Sequence, residues 1–250
     1  MTVCEPFARF RRFGRRSPAT AGSPGLARFR PVTEQPPAGD QPGLFAEPEH
    51  RLDRPRTRVV LLCGPSGSGK TSLTRRTGLP VLELDHFYRD HDDDGDPPMP
   101  RRFGIVDWDD PASWDAAAAM SSLLTLCSGQ PADVPVYDIG SSRRTGTTRL
   151  DPAGSPLLVA EGIFAAHLVR SCQQAGLLAD AICLRLNPGV TFWRRLARDL
   201  AESRKPPLTL VRRGAGLMRD EPRLVRQWVS LGCRPVTPGQ AERDISALHP

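Results

Sequence analysis

The hydrophobic pattern along the 250-residue chain changes character near residue 57. Beyond that point, short apolar runs alternate with segments whose apolar residues recur every three or four positions, the signature of alternating strands and helices. "RVVLLCG" is a β-branched apolar run that predicts a buried strand, and "KTSLTRRTG" opens a short helix. "PVLEL" predicts a second strand, and the roughly twelve residues between the two strands meet the minimum for a parallel crossover. "DPASWDAAAAMSSLLTLCSG" predicts a helix starting at Asp110 or Pro111 and stopping before Gly129. "ADVPVYDI" reads as a short extended piece, "SPLLVAEG" as a buried strand and "FAAHLVRSCQQAGLL" as a helix. "DAICLRL" predicts a strand and "VTFWRRLARDLAESR" a helix. "PRLVRQWVSLG" predicts another helix, "CRPVTP" a final short strand and "GQAERDISAL" a closing helix. Strands alternating with helices imply a parallel sheet covered on both faces. No internal repeat is present.

Residues 1–56 carry no sustained apolar period and are rich in Pro, Gly and Arg, which predicts a disordered basic tail ahead of a domain spanning 57–250. Inside this tail, "FARFRRFGRR" places Phe7, Phe10 and Phe13 at every third position among arginines. Such a pattern suits a short amphipathic, anion-seeking helix or a targeting sequence, or simply a solvated tail.

Charge divides within the tail, at about residue 30. The formal net charge is +6, yet residues 1–30 hold seven Arg and one Glu, so residues 31–250 balance at 27 basic against 27 acidic. The domain therefore has no polyanion-binding signature, and nucleic acid is not an expected partner. No apolar run approaches the roughly 18 residues of a membrane span, and no signal-like apolar stretch follows the first residues. Six scattered cysteines without a C-x-x-C pair fit reduced thiols in a cytoplasmic protein rather than a zinc site or a disulfide framework.

The chemistry concentrates in "GPSGSGKT", which matches G-x-x-x-x-G-K-[ST] after a strand and at the opening of a helix. Gly64, Gly67 and Gly69 let the backbone curl so that successive N–H groups of the loop Gly64, Pro65, Ser66, Gly67, Ser68 and Gly69, all but that of Pro65, which has none, point at phosphate oxygens. The helix that follows adds its positive end, Lys70 reaches the outer phosphates, and the Thr71 hydroxyl, with Ser72 next to it, is placed for Mg²⁺. Basic charge elsewhere is almost all arginine, 32 against two lysines, yet this position keeps a lysine. A compact ammonium fits inside such a loop where a guanidinium does not. The expected fold class is α/β, a P-loop NTPase with a parallel five-stranded core sheet in a three-layer α/β/α arrangement, and the expected ligand is ATP or GTP. No N-K-x-D guanine-reading segment and no S-G-G-Q run is present.

Polar groups also end the successive strands, where open α/β sheets bind ligands. Asp85 follows the second strand as a base, a metal ligand or merely a strand terminator. Tyr137 and Asp138 follow "DVPV", and Glu161, a metal ligand or a helix-capping carboxylate, ends "LLVA" with Gly162 after it. Arg194, Arg195 and Arg198 share a helix as a lid or as a solvated face. His86 and His91 read as loop residues. "DHDDDGD" puts Asp90, Asp92, Asp94 and Gly95 at calcium-loop positions, but Arg101 stands where a bidentate Glu is needed and prolines interrupt the rest. It is expected to be an acidic, solvated loop near the acceptor site.

"GPSGSGKTS", "LDHFYRD", "DWDDPASWD", "PVYDIGSSRR", "LLVAEGIF" and "RRLARDLAESR" occur in the order and approximate spacing of the uridine kinase family, related to phosphoribulokinase and bacterial pantothenate kinase. The resemblance covers residues 58 to about 205. It implies Mg²⁺-dependent transfer of the ATP γ-phosphoryl group to the 5′-hydroxyl of a pyrimidine nucleoside. By that resemblance Asp85 takes the hydroxyl proton or attends the metal, and Tyr88 and Tyr137 line the nucleoside pocket with Arg143. Trp108 lies beside Asp109, which grips the ribose hydroxyls; Glu161 stands near Mg²⁺, and Arg195 and Arg198 close over the phosphates from a lid at about 190–216. The chain departs from the pattern at Ser142, where uridine and cytidine kinases carry a base-contacting histidine, and at Ser203, where an arginine is expected. The alternatives are a kinase for another small alcohol and a non-catalytic ATP-binding regulator, and homo-oligomer formation is left open.

Overall fold

The computed structural model describes residues 54–249 except 66, 103, 186–188 and 190–221, and the side chain of Arg102. Residues 1–53 of the predicted tail, Ser66 of the loop and the arginines at 194, 195 and 198 lie outside the described residues. Five parallel strands form the central sheet: β1 (Arg58–Cys63), β2 (Val81–Glu83), β7 (Leu157–Glu161), β8 (Leu178–Leu184) and β9 (Arg234–Val236). They lie in the order β2-β7-β1-β8-β9, which puts β1 at the centre. β1 and β7 are inaccessible along almost their whole length, as strands covered on both faces must be. The expected five-stranded parallel core is therefore present.

Side chains alternate across each strand and so sort into two layers. Val59, Leu61 and Cys63 face helix α2 (Ala116–Cys127), helix α3 (Val169–Gln174) and Trp228 of the helix at 222–230. Val60 and Leu62 face Leu73 of helix α1 (Lys70–Thr77) and Ala241 and Ile245 of the closing helix Pro238–Leu248. An Arg76–Glu242 pair at 3.0 Å joins those last two helices. All described residues belong to one compact unit. Among them no helix is long and apolar enough to cross a membrane.

The expected helix start needs correction, and one strand escapes the apolar pattern. Asp110 closes only a 3₁₀ turn, Pro111–Ser113, by accepting from the Ala112 N–H at 2.9 Å. α2 itself begins after Asp115, whose Oδ1 accepts from the Ala118 N–H at 2.9 Å, a standard N-cap. The extended piece is strand β5 (Ala132–Asp138), and it pairs antiparallel with a strand the apolar pattern does not reveal, β6 (Arg143–Leu150). β6 is exposed at every position from Arg143 to Arg149, so it shows no buried face to read. The two form a hairpin outside the central sheet, as do the short β3 (Arg101–Arg102) and β4 (Ile105–Val106).

The acidic segment after Tyr88 is solvent-exposed at Asp92, Asp94 and Asp96, as expected, but it is ion-paired rather than free. Asp90 accepts from the Arg144 N–H at 2.7 Å, Asp92 pairs with Arg143, and Asp93 pairs with Arg89 at 2.9 Å. Arg89 also donates to the carbonyls of Pro97 (2.7 Å) and Ala112 (3.1 Å), so the segment is an ion-paired brace.

Candidate active site

The phosphate loop leaves the end of β1 and enters α1 through Gly69, which has φ 92°. Gly67, at φ 81°, adds a second left-handed turn that only glycine adopts without cost. A methyl group on Gly64 would meet Ser68 Oγ at 2.9 Å and Leu184 Cβ at 3.1 Å, so the loop rests directly on the end of β8. The Ser68 N–H donates to the Pro65 carbonyl at 3.1 Å, closing the curl. Lys70 Nζ donates to the Gly64 carbonyl at 2.9 Å and so spans the loop mouth. Ser72 lies in the first turn of α1, and its hydroxyl accepts from Arg76 at 2.8 Å.

A cleft of about 710 Å³ opens above the loop. Gly64, Gly67, Gly69, Lys70, Thr71 and Ser72 form one wall, and Asp85, Tyr88 and Glu161 face them. Glu83 and Ile163 complete the lining; the sequence reading did not single them out. Glu83 projects outward from β2 and pairs with His86 at 3.3 Å, which accounts for that histidine.

Thr71 Oγ1 donates to Glu161 Oε1 at 3.2 Å across the cleft. Burial raises the Glu161 carboxyl above the usual carboxylate range; Asp85 and Glu83 add to the rise, while Lys70 and the Thr71 hydroxyl oppose it. A hydroxyl and a carboxylate beside an ammonium, at the mouth of a phosphate cradle, form the donor set that a hard divalent cation takes alongside phosphate oxygens. The residues present therefore fit a magnesium nucleotide.

Asp85 is not in the strand but in the 3₁₀ turn Leu84–Phe87 just beyond it. Its Oδ1 accepts from the Ile163 N–H at 3.3 Å, tying it to the chain that leaves β7. Trp114 fixes the same turn by donating from Nε1 to the Leu84 carbonyl at 2.8 Å.

Aromatic rings pack against Tyr88, which lines the cleft. Tyr88 meets Trp108 edge-on at 5.5 Å, Tyr137 at 5.8 Å and Phe164 at 5.8 Å, and Trp108 meets Tyr137 at 6.4 Å. The Tyr88 hydroxyl donates to the Trp108 carbonyl at 3.2 Å. Burial, then the charges of Asp85 and Asp109, raises the Tyr88 phenol, so both carboxylates stand near that ring. Burial and Asp90 push the Tyr137 hydroxyl up to about 12. Asp85, Tyr88 and Glu161 thus share one cleft with Lys70 and its loop, while Trp108 and Tyr137 pack against Tyr88 and do not line that cleft. Arg143 is placed differently: its guanidinium pairs with Asp92. Ser142, at φ 53°, accepts from the His91 N–H through its carbonyl at 3.1 Å.

A parallel sheet in this strand order, with a glycine-rich loop leaving its central strand, defines a P-loop nucleotide-binding kinase fold. Residues 59–205 match the Phosphoribulokinase / Uridine kinase family, and the chain belongs to that family. A protein named uridine kinase from Deinococcus deserti is 33% identical over 165 residues, which cover 62% of this chain and 75% of the relative. Another so named, from Schizosaccharomyces pombe, is 32% identical over 155 residues, 58% of this chain but only 32% of that longer protein. Among solved structures, a Silicibacter sp. protein described as a fructose transport system kinase superposes with a TM-score of 0.52 at 18% identity. That superposition covers 74% of this chain and 90% of the other, and it speaks for the fold. The protein is a phosphotransferase that uses an alcohol group as acceptor.

Proposed function

We propose that this chain transfers the γ-phosphoryl group of ATP, with Mg²⁺, to the 5′-hydroxyl of a pyrimidine nucleoside in the cytoplasm. The observation that carries the reading is the cleft in which Lys70 and the phosphate loop face Asp85 and Tyr88, with Trp108 and Tyr137 packed against the Tyr88 ring. The backbone of Gly64, Pro65, Ser66, Gly67, Ser68 and Gly69 binds the phosphates, and Lys70 neutralises the transferring group. Mg²⁺, held by Thr71 and Glu161, would supply further charge neutralisation at the phosphate oxygens.

Asp85, anchored through one oxygen by the Ile163 N–H, keeps its carboxylate for the acceptor hydroxyl. As the nucleoside oxygen bonds to the γ-phosphorus, the bond from that phosphorus to the β–γ bridging oxygen breaks and the hydroxyl proton passes to Asp85. ADP leaves with the electron pair. Asp109 accepts hydrogen bonds from the two ribose hydroxyls, a pairing that one carboxylate makes well. Tyr88, Trp108 and Tyr137 bracket the base, and Arg195 and Arg198 close on the phosphates from the lid.

The test is a panel of alcohols with ATP and Mg²⁺, assayed for ADP and for phosphorylated product by mass. Uridine and cytidine are expected to give their 5′-monophosphates. Turnover only with other alcohols would remove the nucleoside assignment, for which Ser142 gives a specific motive. Tight ATP binding without transfer to any acceptor would favour the regulatory alternative.

A further inference from the structure

β6 carries two adjacent arginines, and they are used differently. Arg143 pairs with Asp92 on the surface. Arg144 lies along the turn that follows Asp85: its Nε donates to the Tyr88 carbonyl at 3.1 Å, and its Nη2 to the Phe87 carbonyl at 3.5 Å and to Asp115 Oδ2 at 3.1 Å. Its backbone N–H donates to Asp90 Oδ1 at 2.7 Å. Directly across the hairpin from Arg144 is Tyr137, whose hydroxyl donates to the Arg89 carbonyl at 3.3 Å. One cross-strand pair therefore grips the carbonyls of Phe87, Tyr88 and Arg89 in succession.

The entry to α2 holds the other edge of the same segment. The Asp115 N–H donates to the Phe87 carbonyl at 2.9 Å and the Arg89 N–H to the Ser113 carbonyl at 2.9 Å, with Tyr88 and Trp114 bridged between them. Asp115 divides its carboxylate, capping α2 through Oδ1 and receiving Arg144 through Oδ2. A two-stranded hairpin outside the main sheet has little stability of its own; β5 is seated by Ala132 and Val134 in the core, and the exposed β6 by such clasps. A planar guanidinium can meet three acceptors at fixed angles, which a lysine cannot.

We propose that Arg144 is a positioning residue for the acceptor half of the site. By clasping the β5–β6 hairpin to the Leu84–Phe87 turn it sets the spacing among Asp85, Tyr88 and Tyr137, and through them the affinity for the acceptor. Arg144 itself does not line the cleft at the phosphate loop. This rests on the reading above that Tyr88 and Tyr137 line the acceptor pocket.

The experiment compares Arg144→Ala, Arg144→Lys, Asp115→Asn and Arg149→Ala with the wild type, using the best acceptor found in the panel. Arg149 lies on the same strand, exposed and 3.8 Å from Asp133, and serves as the control. Arg144→Ala is expected to raise the acceptor KM about tenfold or more while the ATP KM stays within about twofold. Arg144→Lys should recover part of the loss. Asp115→Asn keeps a capping side chain but loses the charged partner, and should move the acceptor KM less in the same direction. Arg149→Ala should match the wild type.

Amide hydrogen exchange supplies a readout that needs no acceptor. Arg144→Ala should speed exchange at 86–92 and 136–145 and leave β1 and β7 unchanged. An acceptor KM that does not move, equal losses for ATP and acceptor, or wild-type exchange in both segments would overturn the proposal. If the wild type phosphorylates no nucleoside, that assignment fails separately, and the exchange comparison still decides the clasp.

Discussion

Asp85 and Gly162 approach so closely that a methyl group added to Gly162 would stand 2.8 Å from Asp85 Oδ1 and 2.8 Å from Leu84 Cβ. The place of the candidate base is thus set by the end of β7 as much as by its own turn. Gly162→Ala must push the Leu84–Phe87 turn outward. It should lower kcat about tenfold or more, cost roughly 1–3 kcal/mol of stability as an overpacked site does, and leave ATP affinity near wild type. Single-turnover kinetics, urea unfolding and nucleotide titration measure the three quantities.

Asp85→Asn keeps the side-chain shape and its contact with the Ile163 N–H but removes the proton acceptor. The expected loss is about 10²- to 10⁴-fold in kcat, the usual worth of a positioned general base, with ATP binding retained. Wild-type turnover in this variant would exclude Asp85 as the base.

Glu161 couples stability to pH. Because burial raises its carboxyl pKa, the folded state holds that proton more tightly than the unfolded chain does. The stability this group contributes is fully present below the ordinary carboxylate pKa and is lost as the pH rises through the raised value. Glu161→Gln is neutral throughout, so it should gain on the wild type over that rise, while its phosphotransfer activity falls. Urea midpoints of both proteins between roughly pH 4 and 8 test the sign.

Asp93 behaves in the opposite sense. The Arg89 guanidinium at 2.9 Å and the Gly95 N–H at 2.8 Å hold its carboxyl down to about 2. Its contribution is present above the ordinary value of about 3.9 and is lost as the pH falls through about 2. Asp93→Asn should be less stable than the wild type at neutral pH, by under about 1 kcal/mol because the pair is partly exposed. The difference should close as the pH falls from the ordinary value toward the depressed one, followed by denaturant midpoints.

The core strands are legible from residue order because burial on both faces leaves unbroken apolar runs, such as Val59 to Cys63. The phosphate loop is legible for a different reason: its glycines and lysine answer local backbone and charge requirements. β6 is not, because "RRTGTTRL" is held by pairing with β5 and by side-chain clasps rather than by a buried face. The same limit conceals the role of the acidic segment. The arginine that neutralises Asp92 lies 51 positions further on, and no local pattern announces it. Glu83, Ile163 and Arg144 escape notice likewise, although the outward position of Glu83 in "VLE" carries a faint signal. Around Asp85 the sequence points to the residue; its coordination by the end of β7 and its support through Trp114 come only from the fold.

The central place of β1 bears on how the protein is made. Arg58 lies opposite Leu157 and Val59 opposite Leu178, so both neighbours of the first strand are synthesised long after it. On the ribosome the loop at residues 64–71 emerges well before the strands that brace it, and Gly64 must wait for Leu184 to provide its seat. Nucleotide can therefore stabilise only a nascent chain that has already passed β8, which makes ligand-assisted folding a late event in translation.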